Sequence, residues 1–213
     1  METNEKLKIR VFECNPLAVN TYVISDQTGD AVIVDPGMVT EDEKAGVKKY
    51  ITDNNLTIKY IIATHPHIDH VLGCGWSVKE FGAPLLMHED GMPVYEKAVA
   101  YGVAFGLDCE RDDFPEPDRY ILGGDEIAFG NEKLKVLETP GHCAGSVSLY
   151  HPDDGIVFVG DLVFQNGVGR TDLPTGNALQ LSNSIRNIIF QLPETTIIYP
   201  GHGLKTTVRY EKY

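Results

Sequence analysis

Apolar positions in this chain fall in short β-branched and aromatic runs, broken at intervals by glycine, proline, asparagine and aspartate. Residues 7–14, 19–25 and 31–35 are such runs, with Thr28-Gly29-Asp30 between the last two, and they predict three consecutive antiparallel strands. From 40 to 54 the apolar spacing becomes helical, and residues 59–63 then form a nearly continuous apolar strand. A helix is expected over 69–81, a strand over 83–87 and another helix over 91–101. Residues 108–118 are acidic, hold two prolines and show no periodicity, which makes them a candidate cover over a site.

The second half follows a similar order without a sequence repeat. Residues 119–122, 126–129, 134–138, 146–150 and 156–159 read as strands with glycine-containing turns between most of them. Leu179, Leu181, Ile185, Ile188 and Ile189 give 177–191 helical spacing, and 195–199 reads as a last buried strand. Runs of strands with helices interspersed predict an α+β fold of two sheets packed face to face with helices outside. At 213 residues the chain can bury a substantial core, and with no linker-like tract one domain is expected over 1–213.

Charge narrows the partners. Eighteen Lys plus Arg stand against 31 Asp plus Glu, a formal −13 that repels phosphate backbones, so nucleic acid is not an expected partner. Bound divalent cations would cancel part of that charge. No window approaches the roughly 20 apolar residues that span a bilayer. The opening residues lack the apolar stretch of a secretory signal, so a cytoplasmic protein without a membrane partner is expected. Cys14, Cys74, Cys109 and Cys143 are widely spaced and suit reduced thiols.

The chemistry is carried by histidine. Of seven in the chain, three fall within Thr64-His65-Pro66-His67-Ile68-Asp69-His70, at the end of the apolar strand, together with an aspartate. His142 and His202 each sit in a Pro-Gly-His triplet, and Asp161 follows Val159-Gly160 after another apolar run. Imidazole and carboxylate ligands suit zinc, and also iron or manganese. His65 and His67, two apart, can point the same way and grip one ion. Asp69 and His70 are displaced along the chain and can serve a second ion, about 3.5 to 4 Å away in paired sites. Asp161 is the expected bridge, because a carboxylate can give one oxygen to each ion. The expected sets are His65, His67 and His142 on one ion, Asp69, His70 and His202 on the other, and Asp161 on both. His88 and His151 have no partner spacing and are expected to be ordinary hydrogen-bonded residues, and Cys143 a small buried one. Gly73, Gly141, Gly160 and Gly201 are expected at tight turns or close backbone approaches.

These motifs, in this order over nearly the full length, resemble the metallo-β-lactamase superfamily. Gly167-Val168-Gly169-Arg170-Thr171-Asp172-Leu173-Pro174 and the terminal Pro200-Gly201-His202-Gly203 look most like the short bacterial glyoxalase II-like hydrolases. The resemblance implies a four-layer αββα sandwich, the ligand sets above, and hydrolysis of a thioester such as S-lactoylglutathione by a water ionised between two divalent ions. Asp69 and Asp161 are the implied catalytic carboxylates, and Arg170 the implied substrate contact. Asp161 stands where the best-known zinc β-lactamases carry cysteine, which points away from antibiotic hydrolysis. Asp172 and Leu204 stand where the long glyoxalase II enzymes carry aromatic residues. Their basic C-terminal extension has no counterpart after His202, which leaves a different thiol carrier or a small ester open. Gly169-Arg170-Thr171-Asp172 also resembles the mononuclear-iron persulfide dioxygenases, and a lactonase is a third option.

Overall fold

The structure is a computed structural model that describes residues 6–107 and 109–213. Strands β1 (Lys8–Cys14), β2 (Val19–Ser25) and β3 (Asp30–Val34) form the antiparallel meander expected of three short runs joined by tight turns. Helix α1 (Glu41–Asp53) follows, its start fixed by a capping box in which Thr40 and Glu43 satisfy each other's backbone N–H groups. It returns the chain so that β4 (Thr57–Ile62) runs parallel to β3. Helices α2 (Ile68–Val71) and α3 (Cys74–Phe81) precede β5 (Leu85–Met87), and α4 (Met92–Tyr95) and α5 (Ala98–Ala104) precede β6 (Arg119–Tyr120), giving a sheet in the order β1-β2-β3-β4-β5-β6.

The second sheet begins with β7 (Glu126–Phe129), β8 (Glu132–Glu138), β9 (Val147–His151) and β10 (Ile156–Gly160), each antiparallel to the next. A two-stranded hairpin, β11 (Val163–Phe164) and β12 (Gly167–Val168), projects after it. Helix α6 (Ala178–Asn187), capped by the Asn177 side chain, leads to β13 (Ile197–Pro200) parallel to β10. Then β14 (Thr206–Thr207) closes the edge before α7 (Val208–Lys212).

Strand alternation explains the near-continuous apolar runs. Tyr22, Ile24, Val32, Val34 and Ile62 face the other sheet and pack on Phe129, Leu134, Val136, Leu149 and Phe158. Their neighbours Val23, Ala31, Ile33 and Ile61 face outward and are covered by Val47 and Ile51 of α1 and Ile68 and Val71 of α2. On the far side Val157 and Val159 meet Leu181 and Ile185 of α6 and Val208 of α7. Each sheet is thus buried on both faces, and the layers run helix, sheet, sheet, helix, as expected.

Four expectations need correction. The helix over 69–81 is two helices, because the Gly73 N–H bonds to Pro36 O at 2.7 Å while the Asp69 carbonyl it would have used accepts from Asn15 Nδ2 at 3.0 Å. The helix over 91–101 is likewise divided into α4 and α5, and that over 177–191 ends as α6 before Ile188, whose ψ of −67° leads into a 3-10 turn. Finally, the stretch 109–118 does not cover a cleft. Phe114 is buried, Pro115 O accepts from Tyr95 Oη, and the turn at Asp112 packs so closely on Gly75 of α3 that a Cβ there would lie 2.4 Å from Asp112 O. Asp108 lies outside the described residues.

Candidate metal centre

Strand direction gathers the site. β8 and β10 are both antiparallel to β9, and β13 is parallel to β10, so all three end at the same edge of their sheet. His142 follows the end of β8, Asp161 that of β10 and His202 that of β13, while His65 and His67 follow β4 of the facing sheet and Asp69 and His70 open α2. The two sheets are tied together at this edge. Asn20 Nδ2 donates to Pro200 O and Gly203 O, Asn20 N donates to Gly201 O at 2.7 Å, and Tyr22 Oη donates to Pro200 O at 2.6 Å.

All seven predicted residues meet there. Donor atoms of His65, His67 and His142 lie within 4.8 Å of one another, and so do those of Asp69, His70 and His202. Asp161 stands between the sets, its Oδ2 3.6 Å from both His142 Nε2 and His202 Nε2 and its Oδ1 3.3 Å from His70 Nε2. His65 Nε2, His67 Nε2, His70 Nε2 and Asp161 Oδ1 are buried without a hydrogen-bond partner. A buried lone pair without a donor is costly, and several converging on one place fit a cation. The residues present therefore suit divalent metal ions.

The opposite ring nitrogens are held by the fold. His142 Nδ1 donates to Arg170 O at 2.8 Å and His202 Nδ1 to Ala18 O at 3.1 Å. His70 Nδ1 donates to Asp35 Oδ2 at 3.0 Å, and His65 Nδ1 faces Thr64 Oγ1 at 3.1 Å, which itself donates to the same Asp35 oxygen at 2.7 Å. These partners fix the tautomer so that Nε2 of each ring presents a lone pair inward. Asp35 was not found from the sequence. It ends β3, is buried, takes a third bond from Thr64 N at 2.7 Å and adopts a left-handed φ of +51°. Holding a non-glycine residue there costs on the order of 1 kcal/mol, in keeping with a positional demand. The only local signal was an aspartate before Pro36-Gly37 at a strand end.

Packing around the ligands admits no side chain at two glycines. A Cβ on Gly201 would lie 2.2 Å from Asp161 Oδ1, and one on Gly160, at φ +53°, 2.4 Å from Thr64 Oγ1. Gly73 and Gly141 are equally confined, by Pro36 O and Leu181 N.

Electrostatics divides the centre. Burial pushes His65 well below its ordinary range, and pushes His67 down to about 4. Burial acts the same way on His70 and His202, but Asp69 and Asp161 outweigh it and raise both. The carboxyls of Asp69 and Asp161, which burial alone would raise, are held below their usual range by the surrounding histidines.

The remaining candidates lie apart. His88 Nδ1 accepts from Asp90 N, and His151 Nε2 lies 3.0 Å from Glu132 Oε2. Cys143 is buried, its thiol pushed up to about 11 by that burial, with Thr175 Oγ1 donating to its sulfur. A thiol so poorly ionised is a small packing group. Arg170 lines the cleft, and its guanidinium makes two 2.7 Å bonds to Asp172.

The sequence profile of the Metallo-beta-lactamase superfamily matches residues 14–202. The chain belongs to that superfamily. Hydroxyacylglutathione hydrolase GloC of Haemophilus influenzae is 31% identical over 209 residues, 97% of this chain and 95% of that protein. Among solved structures, the B3 metallo-beta-lactamase BLEG-1 superposes with TM-score 0.86 at 30% identity, covering 96% of both chains. TTHA1623, solved in a di-iron-bound form, gives 0.84 at 34% identity, covering 95% of this chain and 96% of its own. The superfamily is one of metal-dependent hydrolases, and among the described residues no helix is long and apolar enough to cross a membrane.

Proposed function

We propose that this protein is a binuclear metal-dependent hydrolase that cleaves a small thioester, in the manner of a glyoxalase II. The observation that carries the reading is the convergence of seven donor side chains, several with orphaned buried lone pairs, in two sets joined by Asp161. Similarity to a protein named hydroxyacylglutathione hydrolase supports the substrate class. His65, His67 and His142 would hold one ion, Asp69, His70 and His202 the other. Zinc is the proposed metal, with iron next, given the di-iron form of TTHA1623. Such ions lower the pKa of water to near neutrality and polarise a carbonyl oxygen.

The chain's own residues do the rest. Three carboxylates, Asp35, Asp69 and Asp161, against two dications leave the centre net positive, suited to charge that develops on a carbonyl oxygen. Asp69 lines the cleft and is ionised, so it can orient a water or accept its proton. No side-chain nucleophile is required, in keeping with the inert Cys143.

The test is elemental analysis of purified protein together with S-lactoylglutathione, nitrocefin and glutathione persulfide assays. Two ions per chain with thioester turnover is the expected result. One iron per chain with oxygen uptake on the persulfide would instead establish the dioxygenase suggested by Gly169-Arg170-Thr171-Asp172, and preferential nitrocefin hydrolysis would establish a lactamase like BLEG-1.

A further inference from the structure

The metal centre opens into a cleft of about 250 Å³ whose floor is His67, Asp69, His142, Asp161 and His202. Its walls are of a different character. Leu17 from the turn between β1 and β2, Val94 from α4, Tyr101 from α5, Phe105 just after it, and Leu173 and Pro174 beyond β12 surround the opening. Phe105 caps the C-terminus of α5 four residues after Tyr101, its N–H bonded to Tyr101 O at 3.0 Å, so the two side chains lie one turn apart on the same side as an aromatic ridge beside the ligands. The helix is pinned beside this ridge, since Gly102 packs on Cys109 so tightly that a Cβ would lie 2.2 Å from its sulfur. Phe105 is 58% exposed and Leu17 43% exposed, and apolar side chains that flank the mouth of a site, unlike scattered ones, indicate what the site receives.

Charge points the same way. Among the described residues lining the cleft, Arg170 is the one lysine or arginine, and its guanidinium is already forked onto Asp172. Glutathione carries two carboxylates and one ammonium, so an anionic tripeptide would have to displace Asp172 for its single salt bridge and lay its other charged groups against leucine, valine and aromatic rings. Burying an unpaired charge is unfavourable, and burying methylenes there is favourable.

We infer that the substrate of this centre is a thioester or ester whose body is uncharged and apolar, seated on the Tyr101–Phe105 ridge, rather than a glutathione conjugate. This rests on the hydrolase reading above and narrows it. The apolar chain can belong to the acyl group or to the thiol, and the same ridge recognises either.

The experiment uses the fully metallated protein with two neutral substrate series and S-lactoylglutathione. One series is S-acyl N-acetylcysteamine from acetyl to octanoyl, and the other is acetyl thioesters of alkanethiols from ethyl to hexyl. The expected result is a kcat/KM that climbs about threefold per added methylene in one series until the chain outgrows the cleft, and ends at least about tenfold above S-lactoylglutathione. The series that climbs identifies the side carrying the chain. Phe105→Asp is expected to lower the long-chain to short-chain ratio at least about tenfold while metal content and circular dichroism stay as in the parent. A flat chain-length profile in both series, or S-lactoylglutathione outpacing every neutral substrate, overturns the inference and leaves the hydrolase reading standing. Metallated protein inert toward every thioester overturns the hydrolase reading and this inference with it.

Discussion

At the scale of single residues, the site separates groups placed to bind a cation from groups that aim them. His67 and His88 are a direct contrast. His67→Ala is expected to lose most activity and part of the bound metal, whereas His88→Ala, which sits apart from the cluster, is expected to change neither. Equal losses in metal stoichiometry and turnover would count against the ligand assignment. Asp35 is the sharpest case of an aiming group. Asp35→Asn keeps the shape but sets an amide N–H against either the Thr64 N–H or the His70 Nδ1–H, since both carboxylate oxygens already accept. Losing the partner of a ligating imidazole typically costs 10- to 100-fold in metal affinity or activity, so a fall of about that size is expected by competitive chelator titration. The clustered residues themselves were legible in the sequence because histidine is scarce and each one follows an apolar run. Asp35, Asn20 and Asn15 were not. Asn20 bonds Pro200 and Asn15 bonds the Asp69 carbonyl, and contacts made across so much chain leave no local spacing to read.

At the scale of elements, most strands sit within two residues or so of their expected bounds, because alternation and turn residues are local signals. Helix breaks were less visible, since they arise where a backbone group finds a distant partner. The break between α2 and α3 lets α2 place Asp69 and His70 while α3 turns away to cover β4. Position and packing agree at Gly73. It is the N-cap of α3, where glycine is preferred to alanine, and a Cβ would lie 2.9 Å from Pro36 O and 3.1 Å from Met38 N, an overpacking that costs about 1 to 3 kcal/mol. Gly73→Ala is therefore expected to lower the melting temperature by a few degrees, and a rise would show that the segment relaxes freely.

On the scale of the whole molecule, the two halves bring unlike histidines to one edge. The imidazoles of His70 and His202 have raised pKa values, so in the absence of ions they take up protons at higher pH than His65 and His67, which stay neutral well into the acid range. Metal ligation needs deprotonated imidazole, so a raised pKa means that protons begin to compete at higher pH. Ion uptake near pH 7 is expected to release protons, seen as a buffer-dependent heat in calorimetry. Acidification is expected to empty the set of Asp69, His70 and His202 before the other, with one ion per chain lost ahead of the second. Simultaneous loss of both would contradict that division.

The turn between β1 and β2 joins these scales. Asn15 holds the carbonyls of Asp69 and Gly37, Ala18 O orients the ring of His202, and Leu17 between them faces the cleft. A change of length there would disturb the chemistry and the recognition surface together, whereas Tyr101 and Phe105 line the cleft without bonding any of the clustered histidines or aspartates. Descendants of this protein acquiring new substrates, and libraries built to imitate them, have room to vary at Tyr101 and Phe105 while residues 15–18 stay frozen.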